Sequence, residues 1–204
     1  MKFFKWKIFI ITGIVCLLPI LLGVAVWKEL PETMAIHFNI YGEPDGFASK
    51  GFVVFALPVF MFAVQAFSCY LTDFQSYKNG EMKKFEVVSK WAIPFMTVAV
   101  YILTLVVGLG WKVDIRKAVC IIVGVLFLVI GNYLPKADRI KNYKIDKEKA
   151  RKINRFMGYG TVILGILFIV SCLLPPMYSV ACIFLVIPYA VISMVYAITV
   201  MRKK

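Results

Sequence analysis

The chain has 204 residues, 61% of them apolar and 17% charged, with a formal net charge of +13 and a mean hydropathy of +0.83. That length fits one domain, and a water-soluble fold of this size has too little interior to hide so much apolar surface. Six long uncharged apolar runs account for the excess: 8–27, 52–71, 91–110, 118–134, 157–174 and 178–200. Each is near the roughly 20 residues that a spanning helix needs. The expected fold class is an all-α polytopic membrane protein with six transmembrane helices and both termini cytoplasmic.

The first run follows Lys2, Lys5 and Lys7. It is too long for the apolar core of a signal peptide and lacks a small-x-small cleavage site, so it is expected to stay as an anchor. It carries Pro19 and ends at Leu30-Pro31, where proline stops a helix.

Segment 28–51 is the one long connection on the outer side. Met34, Ile36, Phe38 and Ile40 alternate with Thr33, Ala35, His37 and Asn39, and this period of two predicts a half-buried strand. Glu43-Pro44-Asp45-Gly46 then suits a type I turn, with a short return at 47–49. Ser49 is placed to cap the second span. The segment therefore reads as a structured extracellular cap. The short return satisfies only part of the strand, which leaves an edge for another outer segment, a second protomer or an extended peptide. His37 is the sole histidine. With Glu43 and Asp45 it makes an imaginable outer-face enzyme or metal site. No nucleophile–base pair or ligand set accompanies it, so no catalytic residue, metal or cofactor is expected.

Pro58, Pro94 and Pro188 interrupt the second, third and sixth runs and predict kinks whose freed carbonyls are served by neighbours. No Asp, Glu, Lys, Arg or His lies inside a run. That counts against ion-coupled transport, which commonly uses ionisable groups at mid-depth. Gln65 is the most polar mid-run residue and predicts an interhelical hydrogen bond. Asn79-Gly80 signals a turn, after which a helix from Glu81 runs into the third span with Glu86 and Lys90 one turn apart. Gly124 and Gly131 lie one heptad apart and permit a close helix approach. In loop 135–156, Asp146 is placed as an N-cap, with Glu148 and Lys152 as a supporting pair. Cys16, Cys69, Cys120, Cys172 and Cys182 all lie in apolar runs and read as small buried hydrophobes, with a Cys172–Cys182 bridge left open.

Charge sets the orientation. Of the 24 Lys and Arg, 19 fall in 1–7, 72–90, 135–156 and 201–204, and five in 28–51, 111–117 and 175–177. The acidic residues split six and five, so one side carries +13 and the other zero. The positive side is expected in the cytoplasm, where basic residues meet the anionic leaflet. Because this charge flanks spans and lacks a DNA-binding motif, direct nucleic-acid binding is not expected.

Pro31, then His37-Phe38-Asn39, Gly42, Pro44-Asp45-Gly46 and Ser49-Lys50 resemble a bacterial N-terminal membrane module that precedes the domain of the SdpI-like immunity proteins. Gly131-Asn132-Tyr133-Leu134-Pro135-Lys136 and Lys152-Ile153-Asn154-Arg155-Phe156-Met157-Gly158 resemble two segments of that domain. The resemblance divides the chain into an N-terminal two-helix module, 1–72, and a four-helix region, 73–204. Between those two segments the family carries Gly-Ile-Arg-Thr-Pro-Trp-Thr, which this chain replaces with Asn142-Tyr143-Lys144-Ile145-Asp146-Lys147. The resemblance implies a multi-pass protein of the bacterial cell membrane without enzymatic activity. Such a protein protects its cell from a secreted peptide toxin and holds a small winged-helix autorepressor at the membrane. Ligand contacts would come from Pro31, His37, Phe38, Asn39, Gly42, Pro44, Asp45, Gly46, Ser49 and Lys50. Gly131, Asn132, Pro135, Lys136, Lys152, Arg155 and Gly158 would serve a cytoplasmic partner or the structure itself. The alternative is a small permease that is not coupled to ions.

Overall fold

A computed structural model describes residues 4–79, 83–137 and 146–202. In chain order the elements are α1 (Trp6–Leu17), α2 (Pro19–Ala25), β1 (Thr33–Phe38), β2 (Pro44–Ser49), α3 (Leu57–Asn79), α4 (Lys83–Gly108), α5 (Ile115–Tyr133), α6 (Lys147–Ser171) and α7 (Pro176–Arg202). A π-helical stretch, Phe52–Ala56, leads into α3, and a 3-10 turn, Leu134–Lys136, follows α5. Among the described residues six helices are long and apolar enough to cross a membrane, with α1 and α2 counting as one interrupted span. The break falls at Pro19, where a helix loses an N–H donor.

The chain packs as two compact units. One comprises Phe4–Leu71 and Lys90–Val119; the other takes Thr72–Ser89 and Cys120–Lys204. These packing units group the residues differently from the 1–72 and 73–204 modules, because most of α4 packs with the N-terminal span pair.

In the first unit a core of Leu30, Met34, Val53, Val54, Tyr101 and Leu105 seats the strand pair on the helices. Met34, from β1, rests against Gly108 at the end of α4; a Cβ on Gly108 would lie 2.5 Å from Met34 Cε. Two helical prolines are served from the opposite helix. Pro94 has no N–H for the Lys90 carbonyl, and Gln65 Nε2 donates to that oxygen at 2.8 Å. Pro58 likewise leaves the Val54 carbonyl, which Tyr101 Oη reaches at a long 3.4 Å. Gln65 Nε2 also donates to Thr12 Oγ1 at 2.9 Å, so the interhelical role expected for Gln65 is met. Gln65 Oε1 has no hydrogen-bond partner among the described residues.

In the second unit α5 and α6 meet along two glycine pairs. A Cβ on Gly124 would lie 2.9 Å from Gly165 O, and one on Gly165 2.8 Å from Gly124 O. One heptad on, Gly131 and Gly158 each face the other's carbonyl at 2.8 Å. Only glycine lets two membrane helices approach so closely. α7 packs on α6 with Gly160 making room for the Tyr189 ring, whose hydroxyl lies 2.9 Å from Thr161 Oγ1. Asp146 caps α6 by accepting from Glu148 N at 3.2 Å, and Lys152 pairs with Glu148 at 2.7 Å, both as expected. The five cysteines are free thiols.

Two expectations are corrected. Pro44, Asp45 and Gly46 do not form the turn; they open β2, and the chain reverses over 39–43. Asn39 sets that reversal: its Oδ1 accepts from Tyr41 N at 2.9 Å and Glu43 N at 3.0 Å, while Gly42 takes a φ of +81°. Second, segment 72–90 is not a solvated connection: α3 continues past its apolar run, α4 begins ahead of its own as expected, and these turns carry Asp73, Glu86 and Lys90 at 1–2% exposure. The ionisable groups missing from the runs are thus present, buried, just beyond them. Gly80, Glu81 and the 138–145 stretch, including Ile145 and most of the segment replacing the family motif, lie outside the described residues.

Candidate functional site

β1 and β2 pair antiparallel, with Thr33 opposite Ser49, Met34 opposite Ala48 and Ala35 opposite Phe47. The register slips after Ala35, so that His37 pairs with Gly46, and slips again before Phe38 pairs with Pro44. A bulge moves side chains from one face to the other. That is why Met34 is buried while Ile36, two residues on, is exposed, and the simple alternation read from the sequence holds only in part.

The residues expected to contact a ligand fall into three groups. Asn39 and Gly42 hold the reversal with the help of Glu43, a residue outside that set, Asn39 Nδ2 donating to Glu43 Oε2 at 3.1 Å and Asn39 N to Glu43 O at 2.9 Å. His37 and Asp45 project into water, His37 Nδ1 lying 2.5 Å from Asp45 Oδ1 with 73% of the histidine side chain exposed. Gly46 is needed across from His37, since a Cβ there would lie 2.8 Å from His37 Cβ. Lys50 and Ser49 fasten the far end. Lys50 Nζ pairs with Glu32 at 2.7 Å and lies 5.0 Å from the centre of the Trp27 ring, and Ser49 Oγ accepts from Phe52 N at 3.3 Å. Pro31 is exposed just before β1.

Phe38, Gly42 and Pro44 do something the sequence does not announce. With Val107, Trp111–Asp114 and Ile115 they wall an open cleft of about 440 Å³. The second short connection, 111–114, is thus half of the site. Arg116 lies across Gly42, its Nε 3.3 Å from where a Cβ would stand, and Asp114 holds Arg116 at 3.5 Å. The hairpin segment 28–51 carries a net charge of −2 and 111–117 a net charge of +2, so their docking is electrostatically favoured. Trp111, 70% exposed, stands at the cleft edge. Its signal in the sequence was an aromatic residue at a span boundary, where tryptophan concentrates.

On the basic side, Gly131, Pro135 and Gly158 come together. A Cβ on Gly158 would lie 2.5 Å from Pro135 Cδ, so these residues close the α5–α6 packing. Asn154 Nδ2 donates to Ala137 O at 2.7 Å and ties α6 to the end of the 3-10 turn. Asn132, Lys136, Lys152 and Arg155 are exposed, with Lys136 Nζ 4.9 Å from the Tyr133 ring centre. Asp73 and Ser76, neither of them singled out from the sequence, are buried with Glu86 in the same unit, where Ser76 Oγ donates to Glu86 Oε1. No three His, Cys, Asp or Glu side chains gather as metal ligands among the described residues.

Residues 14–62, from the first span through the hairpin into the second, match a domain of unknown function, DUF1648. The chain is also 26% identical over 133 residues to the immunity protein SdpI of Bacillus subtilis strain 168, an alignment covering 64% of this chain. It spans 61% of the length of that relative. No solved structure matches significantly. The two matches support an SdpI-like family assignment for this multi-pass membrane protein.

Proposed function

We propose that the protein confers immunity to a secreted peptide toxin, which it meets with the hairpin and the 111–114 connection on the outer face. The observation that carries this reading is the cleft between those two segments. It is a concave surface on the hairpin side, and one of its walls, Phe38, Gly42 and Pro44, belongs to the stretch that matches DUF1648. The likeness to an immunity protein supplies the class of activity. The excess of basic charge orients the hairpin outward. On the inner face the exposed Lys136, Lys152 and Arg155 would engage a small cytoplasmic autorepressor.

The test is survival of a toxin-sensitive bacterium exposed to peptide toxins of the kind SdpI-like proteins resist, with and without this chain. Expression is expected to raise survival. Equal killing in both strains overturns the reading. His37→Ala is expected to protect fully, because the exposed His37–Asp45 pair only steadies the hairpin; loss of protection would return the enzyme reading to contention. A permease reading draws on one observation, the burial of Asp73, Glu86 and Lys90, which favours a carrier coupled to ions over the uncoupled one expected from the sequence. It predicts solute uptake in the same cells without toxin resistance.

A further inference from the structure

The outer cleft has a chemistry that its likeness to other chains does not supply. Its floor and walls are apolar, from Phe38, Pro44, Val107, Val113 and Ile115. Val107 is in the last turn of α4 and Ile115 opens α5, so the floor lies where two spans end, at the boundary between lipid and water. Trp111 marks the same boundary. On the rim Lys112 is exposed and makes no hydrogen bond or ion pair among the described residues, nor does Val113 beside it. Both line the cleft and lie outside any helix or strand, so the backbone N–H groups of both and the Lys112 ammonium are left without a protein acceptor among the described residues. The acidic neighbour, Asp114, is engaged with Arg116 at 3.5 Å and accepts from Lys117 N at 3.3 Å.

We infer that this cleft binds a peptide by taking one apolar side chain into its interior, with a carboxylate of the same peptide held by Lys112 and the adjacent N–H groups. This rests on the peptide-toxin reading and specifies its ligand. Unpaired main-chain donors beside an apolar socket suit a peptide, which can present an apolar side chain and a carboxylate from the same or the adjacent residue; terminal-carboxylate capture is one form of this. The carboxylate has two sources, a free chain end or an acidic side chain.

The experiment uses the full chain in lipid nanodiscs and the fluorescence anisotropy of labelled hexapeptides. The first probe is Gly-Ser-Gly-Ser-Gly-Phe with a free C-terminus. The second is Gly-Ser-Gly-Ser-Asp-Phe as the amide. The controls are Gly-Ser-Gly-Ser-Gly-Phe amide, which lacks a carboxylate, and Gly-Ser-Gly-Ser-Gly-Gly acid, which lacks the apolar group. Saturable binding is expected of the first or second probe, identifying the source, and at least tenfold weaker binding of both controls. Lys112→Gln and Trp111→Ala, both at exposed positions that leave the fold intact, are expected to weaken it at least tenfold; Val107→Trp, which fills the cleft, is expected to abolish it. No saturable binding, as for a cleft filled by lipid, or binding unchanged in Lys112→Gln and Trp111→Ala, overturns the inference. Toxin survival separates the two readings. Full protection by variants that bind no probe leaves immunity standing and removes the cleft as its site. Probe binding without protection by the native chain keeps the cleft and removes immunity.

Discussion

At the scale of single residues, the side chains that matter most are polar groups doing jobs for the backbone. Asn39 is the clearest case. It satisfies two N–H groups in the reversal and holds the Glu43 carboxylate, so Asn39→Ala removes three hydrogen bonds at once. At about 0.5–1.5 kcal/mol per exposed bond, and less than the sum because they share one side chain, the loss is expected near 1–2 kcal/mol of hairpin stability. Amide exchange at Tyr41 and Glu43 checks it: both should speed up roughly tenfold while amides of α4 stay unchanged. Gln65 is the buried counterpart. Gln65→Leu leaves the Lys90 carbonyl without its donor, a loss of about 1 kcal/mol in a membrane, measurable as a lowered unfolding midpoint in mixed micelles.

At the scale of elements, the glycine pairs of α5 and α6 decide whether the second unit forms. Gly158→Leu has to displace both the Pro135 ring and the Gly131 carbonyl, so it is expected to cost more than 3 kcal/mol and to remove the folded protein from the membrane fraction. Gly110→Ala is the contrast. Nothing stands within 4 Å of its Cβ position, so only its φ of +84° is charged, about 1 kcal/mol. The heptad spacing of Gly124 and Gly131 was visible in the sequence, but their partners Gly165 and Gly158 were not. A glycine spacing on one helix does not name the face it meets. The hairpin was partly legible for a similar reason. Alternating residues announced a strand, yet Pro-Asp-Gly misplaced the turn, because the bulges and the Asn39 contacts that set the register are not local to those three residues. The apolar runs located every span but bounded each by its uncharged stretch, whereas α3, α4 and α6 carry charged turns beyond theirs. Glu86 and Lys90 were read on a helix as an exposed-side pair and Asp73 as part of a cytoplasmic connection, and all three are buried.

At the scale of the whole molecule, charge asymmetry and the six spans make one topological prediction. Green fluorescent protein fused after the last residue is expected to fluoresce, and alkaline phosphatase fused at Asp45 to be active, since the first matures only inside and the second only outside. The reverse pattern would put the hairpin in the cytoplasm and remove it as a toxin site. The cleft itself was not legible at any smaller scale. Its two halves are more than 60 positions apart, and each alone reads as a short connection.

The reciprocal service of the two prolines has a genetic consequence. Gln65 on α3 supplies the carbonyl that Pro94 orphans on α4, and Tyr101 on α4 supplies the one that Pro58 orphans on α3. Each donor's bond to that carbonyl therefore has value only while its proline is present. Pro94→Ala restores a local N–H for Lys90, so in that background Gln65→Leu should cost less than in the native chain, keeping the loss of the Thr12 bond, and the cycle should show a coupling energy of about 0.5–1.5 kcal/mol. A relative that has lost either proline is then free to lose the matching donor, and the pair should disappear together.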